Sequence, residues 1–245
     1  MTSDSQNNLT DSAKETKLPD LAKNYIKEII YGANDGIITT FAVVAGFAGF
    51  GSEGQTKLAS IAVLVFGLGN LFADGLSMGL GSFLSTRSEK QLYESEKQRH
   101  LDNVCDNFET EKNKLIQTLQ DKNFETEKAE VLADLITDNH AFWQDFVLQN
   151  EQQLNPANGN ASLGAITTFL AFLFFGFIPL VPYLFNIRGE LAFPISILSS
   201  ILALILLGIL RWKIIGEKLW KGIAEILAVG TVSGLAAFLV GLIFK

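Results

Sequence analysis

The stretch LASIAVLVFGLGNLFADGLSMGLGSFL, residues 58–84, contains one ionisable side chain, Asp74. It exceeds the roughly 20 apolar residues that carry a helix through the hydrocarbon of a bilayer. Working outward, four further runs have the same character, at about 29–50, 163–186, 191–211 and 221–244. In lipid every backbone polar group must be satisfied internally, so such runs cross as helices. With 48% hydrophobic residues and a mean hydropathy of +0.27 over 245 residues, the chain reads as an all-α membrane protein with five transmembrane helices and the lipid bilayer as its solvent.

Only the connection between the second and third runs is long. No Gly or Pro occurs between Ser82 and Asn155, and the residues there are strong helix formers. This predicts that the second spanning helix continues past Arg87 and that a helical insert follows. Phe124, Val131, Leu132, Leu135 and Ile136 recur at helical spacing, as do Phe142, Trp143, Phe146, Val147 and Leu154, so about three helices can share a small core. Asn155–Pro156–Ala157–Asn158–Gly159 breaks the helix before the third span. The expected organisation is a polar N-terminal segment over 1–27, spans one and two over 28–85, the insert over 86–160 and spans three to five over 161–245. Pro179 and Pro182 in the third span predict a kink with freed carbonyls.

Charge is concentrated in the insert. Between Arg87 and Glu151 lie 15 acidic and 8 basic residues, which account for the net −7, while the remaining 11 and 11 cancel. A polyanionic insert repels nucleic acid and attracts cations, or is simply a solvated helical surface. Placing the N-terminus in the cytosol puts Lys23, Lys27, Arg87, Arg211, Lys213 and other basic residues inside, against Lys57, Arg188 and Lys245 outside. That bias predicts a cytosolic insert and a C-terminus on the opposite side. Residues 1–27 lack the apolar core of a cleavable signal. Cys105 is the only cysteine, so neither an internal disulfide nor a Cys-based zinc site is expected. Nothing matches a nucleotide-binding fingerprint or a nucleophile–base pair, so no enzyme activity and no cofactor are expected.

Ionisable groups within a spanning helix cost about 2.5–3.5 kcal/mol each and mark a function or a pathway by default. Asp35, in Asn34–Asp35–Gly36, and Asp74 are two such groups. Met78, four residues after Asp74, shares its helical face. Oxygen and soft sulfur together suit a borderline cation such as Fe(II) better than Mg or Ca. The structural alternatives are a helix cap for Asp35, a paired carboxylate joining helices for Asp74 and a gap filler for Met78. His100 and His140 read as solvated helix residues, because neither has a second His or Cys at ligand spacing. Small residues (Gly32, Gly36, Gly46 and Gly49, then Gly67, Gly75 and Gly79) permit close helix approach.

Tyr31–Gly32–Ala33–Asn34–Asp35–Gly36, Ala73–Asp74–Gly75–Leu76–Ser77–Met78–Gly79 and Phe175–Gly176–Phe177–Ile178–Pro179–Leu180–Val181–Pro182–Tyr183 together resemble the vacuolar iron transporter family, over most of the chain from about residue 28. The resemblance implies a homodimer with its path at the subunit interface. It further implies export of Fe(II), sometimes Mn(II), from the cytosol in exchange for protons, and an insert that collects metal. The family's first-helix carboxylate falls on Asp35 and its second-helix methionine on Met78. Another family carboxylate falls on neutral Asn70, with Asp74 as a substitute one turn away. In the insert, Glu111 and Glu151 match family metal ligands. Lys114, His100 and Asn103 replace expected glutamates, and Val147 and Leu148 replace a methionine pair. Glu109, Asp102, Asp106 and His100 offer a rearranged site, and diffuse negative charge is the alternative. The expected function is Fe(II) or Mn(II) transport through Asp35, Asp74 and Met78. The rival is a non-transporting membrane protein whose insert senses metal or binds a partner. Which membrane holds the chain, a bacterial inner membrane or an organelle membrane, is not distinguished.

Overall fold

The computed structural model describes residues 25–51, 57–156, 159–185, 187, 189–216 and 218–244. The expected polar N-terminal segment up to Asn24 lies outside the described residues. So do Ala157 and Asn158 of the helix-breaking stretch, and Arg188 and Lys245 of the charge bias.

The chain forms helices α1 (Ile26–Phe50), α2 (Lys57–Asp106), α3 (Phe108–Asp121), α4 (Thr126–Thr137), α5 (His140–Asn150) and α6 (Ala161–Gly176). After a 3-10 turn (Ile178–Leu180) come α7 (Val181–Leu184), α8 (Gly189–Ile215) and α9 (Leu219–Ile243). There is no strand among the described residues. Five helical segments are long and apolar enough to cross a membrane: Ile26–Phe50, Leu58–Asp106, Ala161–Leu184, Leu191–Ile214 and Leu219–Ile243. The second span does run on as one helix to Asp106, as the absence of Gly and Pro predicts. Two units result, Met1–Gly75 with Thr167–Lys245, and Leu76–Ile166.

In the first unit α1 is the hub. Ala33, Ile37 and Ile38 pack with Ala203, Leu204 and Leu207 of α8 and Ile226 of α9. Glycines allow backbone to meet backbone on two other sides of α1. A Cβ at Gly36 would lie 3.1 Å from the carbonyl carbon and Cα of Phe172 on α6, and closer still to its oxygen. Gly241 of α9 is held as tightly against Gly46 and Phe50 of α1. Large apolar side chains on the outer faces, such as Val65, Phe66 and Phe72 of α2, are exposed, which lipid tolerates and water would not.

The prolines act as expected. Helix α6 stops at Gly176, and a 3-10 turn with Pro179 leads into the short α7 with Pro182. The freed Pro179 carbonyl accepts a 2.7 Å hydrogen bond from the buried Ser196 hydroxyl on α8. A broken helix inside apolar surroundings needs that kind of repair.

In the second unit Asn107 and Asn139 cap α3 and α5, accepting from the Thr110 and Phe142 amides. Asn123, at φ 69°, turns the chain between α3 and α4. The core joins Val104, Leu115, Leu119, Ala129, Ala133, Ile136, Trp143 and Val147. This corrects part of the periodicity reading, because Phe124, Val131, Leu135 and Phe142 are exposed and the stripe of α4 that packs is Ala129, the partly buried Leu132, Ala133 and Ile136. Small alanines let α4 approach its neighbours, and period alone does not say which of two apolar stripes packs. Tyr93 of α2 ties the insert to that helix by donating a 2.7 Å hydrogen bond to Asp145 of α5. Burial, then that bond, pushes its phenol up to about 12.

Candidate functional site

Asp35 lies on α1 between Gly32 and Gly36, the two glycines that seat α1 on α6. A Cβ at Gly32 would meet the Thr168 carbonyl oxygen at 2.5 Å, and at Gly36 it would meet Phe172. Because Gly32 and Gly36 point into that seam, Asp35 is turned to its side. It is half-buried, and Asp74 of α2, also half-buried, lies within electrostatic reach of it. The two acids singled out from separate spans are therefore within range of each other's charge. Thr39, one turn on, donates a 2.8 Å hydrogen bond to the Asp35 backbone carbonyl.

The two carboxylates are held differently. Asn70 Nδ2 donates to Asp74 Oδ2 at 2.6 Å, so the Asn70 amide steadies the Asp74 carboxylate. The Asp35 carboxylate accepts no hydrogen bond among the described residues. Asn70 also lines a cleft of about 750 Å³ bordered by Gly46 and Phe47 of α1, Phe66 of α2 and Gly241 of α9. Met78 is half-buried on α2, four residues beyond Asp74, in the second unit.

A second cavity of about 520 Å³ is lined by Lys27, Tyr31 and Asn34 of α1, Arg211 of α8 and Glu225 of α9. Asn34 Oδ1, beside Asp35, is buried and receives no hydrogen bond among the described residues. A buried amide oxygen of that kind ordinarily has a partner, so it suits water or a cation reaching it through this cavity. The sequence reading missed Glu225, which pairs with Arg211 at 3.4 Å. Its signal was available: it is the only acid in the run 221–244.

In the insert, Glu111 of α3 is 8% exposed and its Oε1 lies 2.7 Å from the Lys114 ammonium. Glu151, the residue that ends α5, accepts a 2.9 Å hydrogen bond from Thr118 of α3. Desolvation by the surrounding protein pushes the Glu151 carboxyl up, the Thr118 bond opposes it, Glu111 adds to the rise and Lys114 counters it. So Glu111 and Glu151 lie within electrostatic range of each other, with the Lys114 ammonium on Glu111. His100 is a correction to the solvated reading. It is 4% exposed, its ring set edge-on to Trp143 at 5.4 Å, because α5 lays Trp143 over the end of α2. Burial pushes the imidazole below its usual value, against the pull of Glu111. His140 is exposed and lies over Trp143 at 6.3 Å. Among the described residues no three His, Cys, Asp or Glu side chains converge as metal ligands. Within the chain the rearranged cluster of Asp102, Asp106, Glu109 and His100 is therefore not assembled.

Comparison with known proteins gives consistent results. The sequence model of the VIT family matches residues 26–242. A vacuolar iron transporter of Plasmodium berghei (strain Anka) is 29% identical over 235 residues, covering 92% of this chain and 84% of that protein. One of Toxoplasma gondii (strain ATCC 50861 / VEG) is 30% identical over 230 residues, covering 90% and 74%. Vacuolar iron transporter 1 of Arabidopsis thaliana is 28% identical over 218 residues, covering 89% and 85%.

Proposed function

Because this chain belongs to the VIT family, whose model spans nearly all of it, we propose that it carries a divalent metal ion, Fe(II) first and Mn(II) second, out of the cytosol. It is a multi-pass integral membrane protein, and the names of its relatives supply the substrate class. The observation that carries the reading is that Asp35 and Asp74, acids of two separate spans inside the bundle, lie within electrostatic range of each other, a costly arrangement in hydrocarbon that a passing cation would offset. Two carboxylates and the Met78 thioether make a donor set of mixed hardness, which favours Fe(II) or Mn(II) over Mg(II). Asp35, whose carboxylate accepts no hydrogen bond among the described residues, is the principal ligand. Asp74, fixed by Asn70, is the second, and Met78 adds sulfur.

Two ligands from one chain and one thioether leave a cation under-coordinated, so the path is completed at the seam of a homodimer, with a second copy's side chains. The cavity at Asn34 is its mouth on the cytosolic side. A proton on one carboxylate takes over the charge of the departing ion, which couples metal export to proton exchange.

The test is flux into liposomes that enclose a metal-sensitive dye and hold the purified protein. Fe(II), Mn(II), Co(II) and Zn(II) are compared with and without a pH gradient. The expected result is Fe(II) and Mn(II) flux that rises severalfold when the lumen is acid. Flux that ignores the gradient overturns proton exchange, and no flux of any of the four ions overturns transport.

A further inference from the structure

The insert is expected from its resemblance to collect metal, yet its residues do not fit a bound divalent ion. Glu111 is the deepest acid of the unit, its side chain 10% exposed. A carboxylate at that depth needs a counter-charge. It has one within its own helix, since Lys114, one turn on, sets its ammonium 2.7 Å from Oε1. An i,i+3 pair on an open helix surface contributes little. This pair differs because only the lysine reaches solvent, with 54% of its side chain exposed. Lys114 and Glu151 together line a polar cleft of about 520 Å³, with Thr118 between them in sequence and bonded to Glu151. The ammonium acts on Glu151 as well as on Glu111. The cleft presents the carboxylates of Glu151 and Asp121 beside the ammonium groups of Lys114 and Lys122, while Glu111 lies behind it, held by Lys114. No three His, Cys, Asp or Glu side chains converge there among the described residues, and a divalent cation entering meets positive charge already seated.

We propose that Lys114 is the insert's own cation: its ammonium takes the place of a metal ion against Glu111 and beside Glu151, and keeps divalent ions off both. The charge of Glu111 is thereby offset without metal, the field at Glu151 is weakened, and the charge of residue 114 sets the metal affinity of the insert. Lys112, two residues earlier, is turned to Asp134 of α4 and has no part in this.

The experiment measures Co(II) binding to the full-length protein in detergent by titration calorimetry. Every variant also carries Asp35→Asn, so that the membrane path does not contribute. Removing a unit charge next to the cleft, as in Lys114→Gln, is expected to tighten Co(II) binding by about tenfold or more. Adding Glu111→Gln should abolish the gain. Lys114→Arg should bind as weakly as the parent, and Lys112→Gln should change nothing. Should Lys114→Gln lower the melting temperature of the chain, Lys114→Met keeps the aliphatic stem over Glu111 and tests the same charge. The proposal is overturned if neither neutral variant binds more tightly than the parent, or if Lys114→Arg gains as much as Lys114→Gln. It is also overturned if the parent already binds Co(II) in a manner that Glu111→Gln removes.

Discussion

Asp35→Asn is expected to lower the initial rate of Fe(II) flux in proteoliposomes by on the order of a hundredfold or more. Changing a group that only orients a metal ligand typically costs ten- to a hundredfold, so removing the ligand's own charge costs at least the upper end. Asparagine keeps the volume and one oxygen, and α1 is held by Gly32 and Gly36 on either side of the position, so the effect reads chemistry and not folding. Asp74→Asn should cost less, about tenfold by the same scale, because Asn70 already engages one of its oxygens. If the two variants lose equal activity, the assignment of Asp35 as the principal ligand fails. If Asp35→Asn transports at the parental rate, the site itself is elsewhere.

The second large effect is structural. A methyl group at Gly36 has no room, since the Phe172 backbone of α6 lies within van der Waals distance of where it would sit, and Gly36 in turn backs Gly176 of α6, where a Cβ would meet the Gly36 carbonyl oxygen at 2.8 Å. Backbone cannot rotate aside as a side chain can, so Gly36→Ala must push α1 and α6 apart. Overpacking of this kind costs about 1–3 kcal/mol, which for a chain of this size lowers the melting temperature by about 5 °C. Displacing α1 also moves Asp35, so flux should fall with stability. Gly222→Ala on α9 is the control: a Cβ there meets nothing within 4 Å, and alanine should leave the melt unchanged or raise it slightly. Equal melting of the two variants would contradict the close α1–α6 approach.

What the sequence made legible follows from what each signal encodes. Spans are written in local composition, so 58–84 and its four companions correspond to helices, and the missing Gly and Pro after Ser82 correspond to the long α2. The break at Pro179 and Pro182 was legible for the same reason, since proline's missing N–H acts locally. Its repair by Ser196 was not, because that hydroxyl belongs to another span. The insert shows the limit of periodicity: α4 has two apolar stripes, and the alanine-bearing one packs while Val131 and Leu135 stay exposed. His100 was misread because its burial depends on Trp143, far along the chain on another helix. Asp35 and Asp74 could be singled out by their cost in lipid, but their meeting depends on how α1 and α2 pair, which neither run encodes by itself. Lys114 was visible only as a lysine where the family resemblance called for an acid. Its hold on Glu111 is a fact of geometry.

The central claim is that a divalent ion passes along α1 at Asp35. Thiol accessibility one turn away tests it most directly and leaves both carboxylates intact. Thr39→Cys, made with Cys105→Ser to remove the only native cysteine, places a small probe on the Asp35 face of α1. In sealed membranes the account predicts that a charged, water-soluble thiol reagent modifies this position and that Mn(II) slows the modification severalfold. A thiol that the reagent never reaches, or that it modifies equally fast with and without Mn(II), would contradict the account.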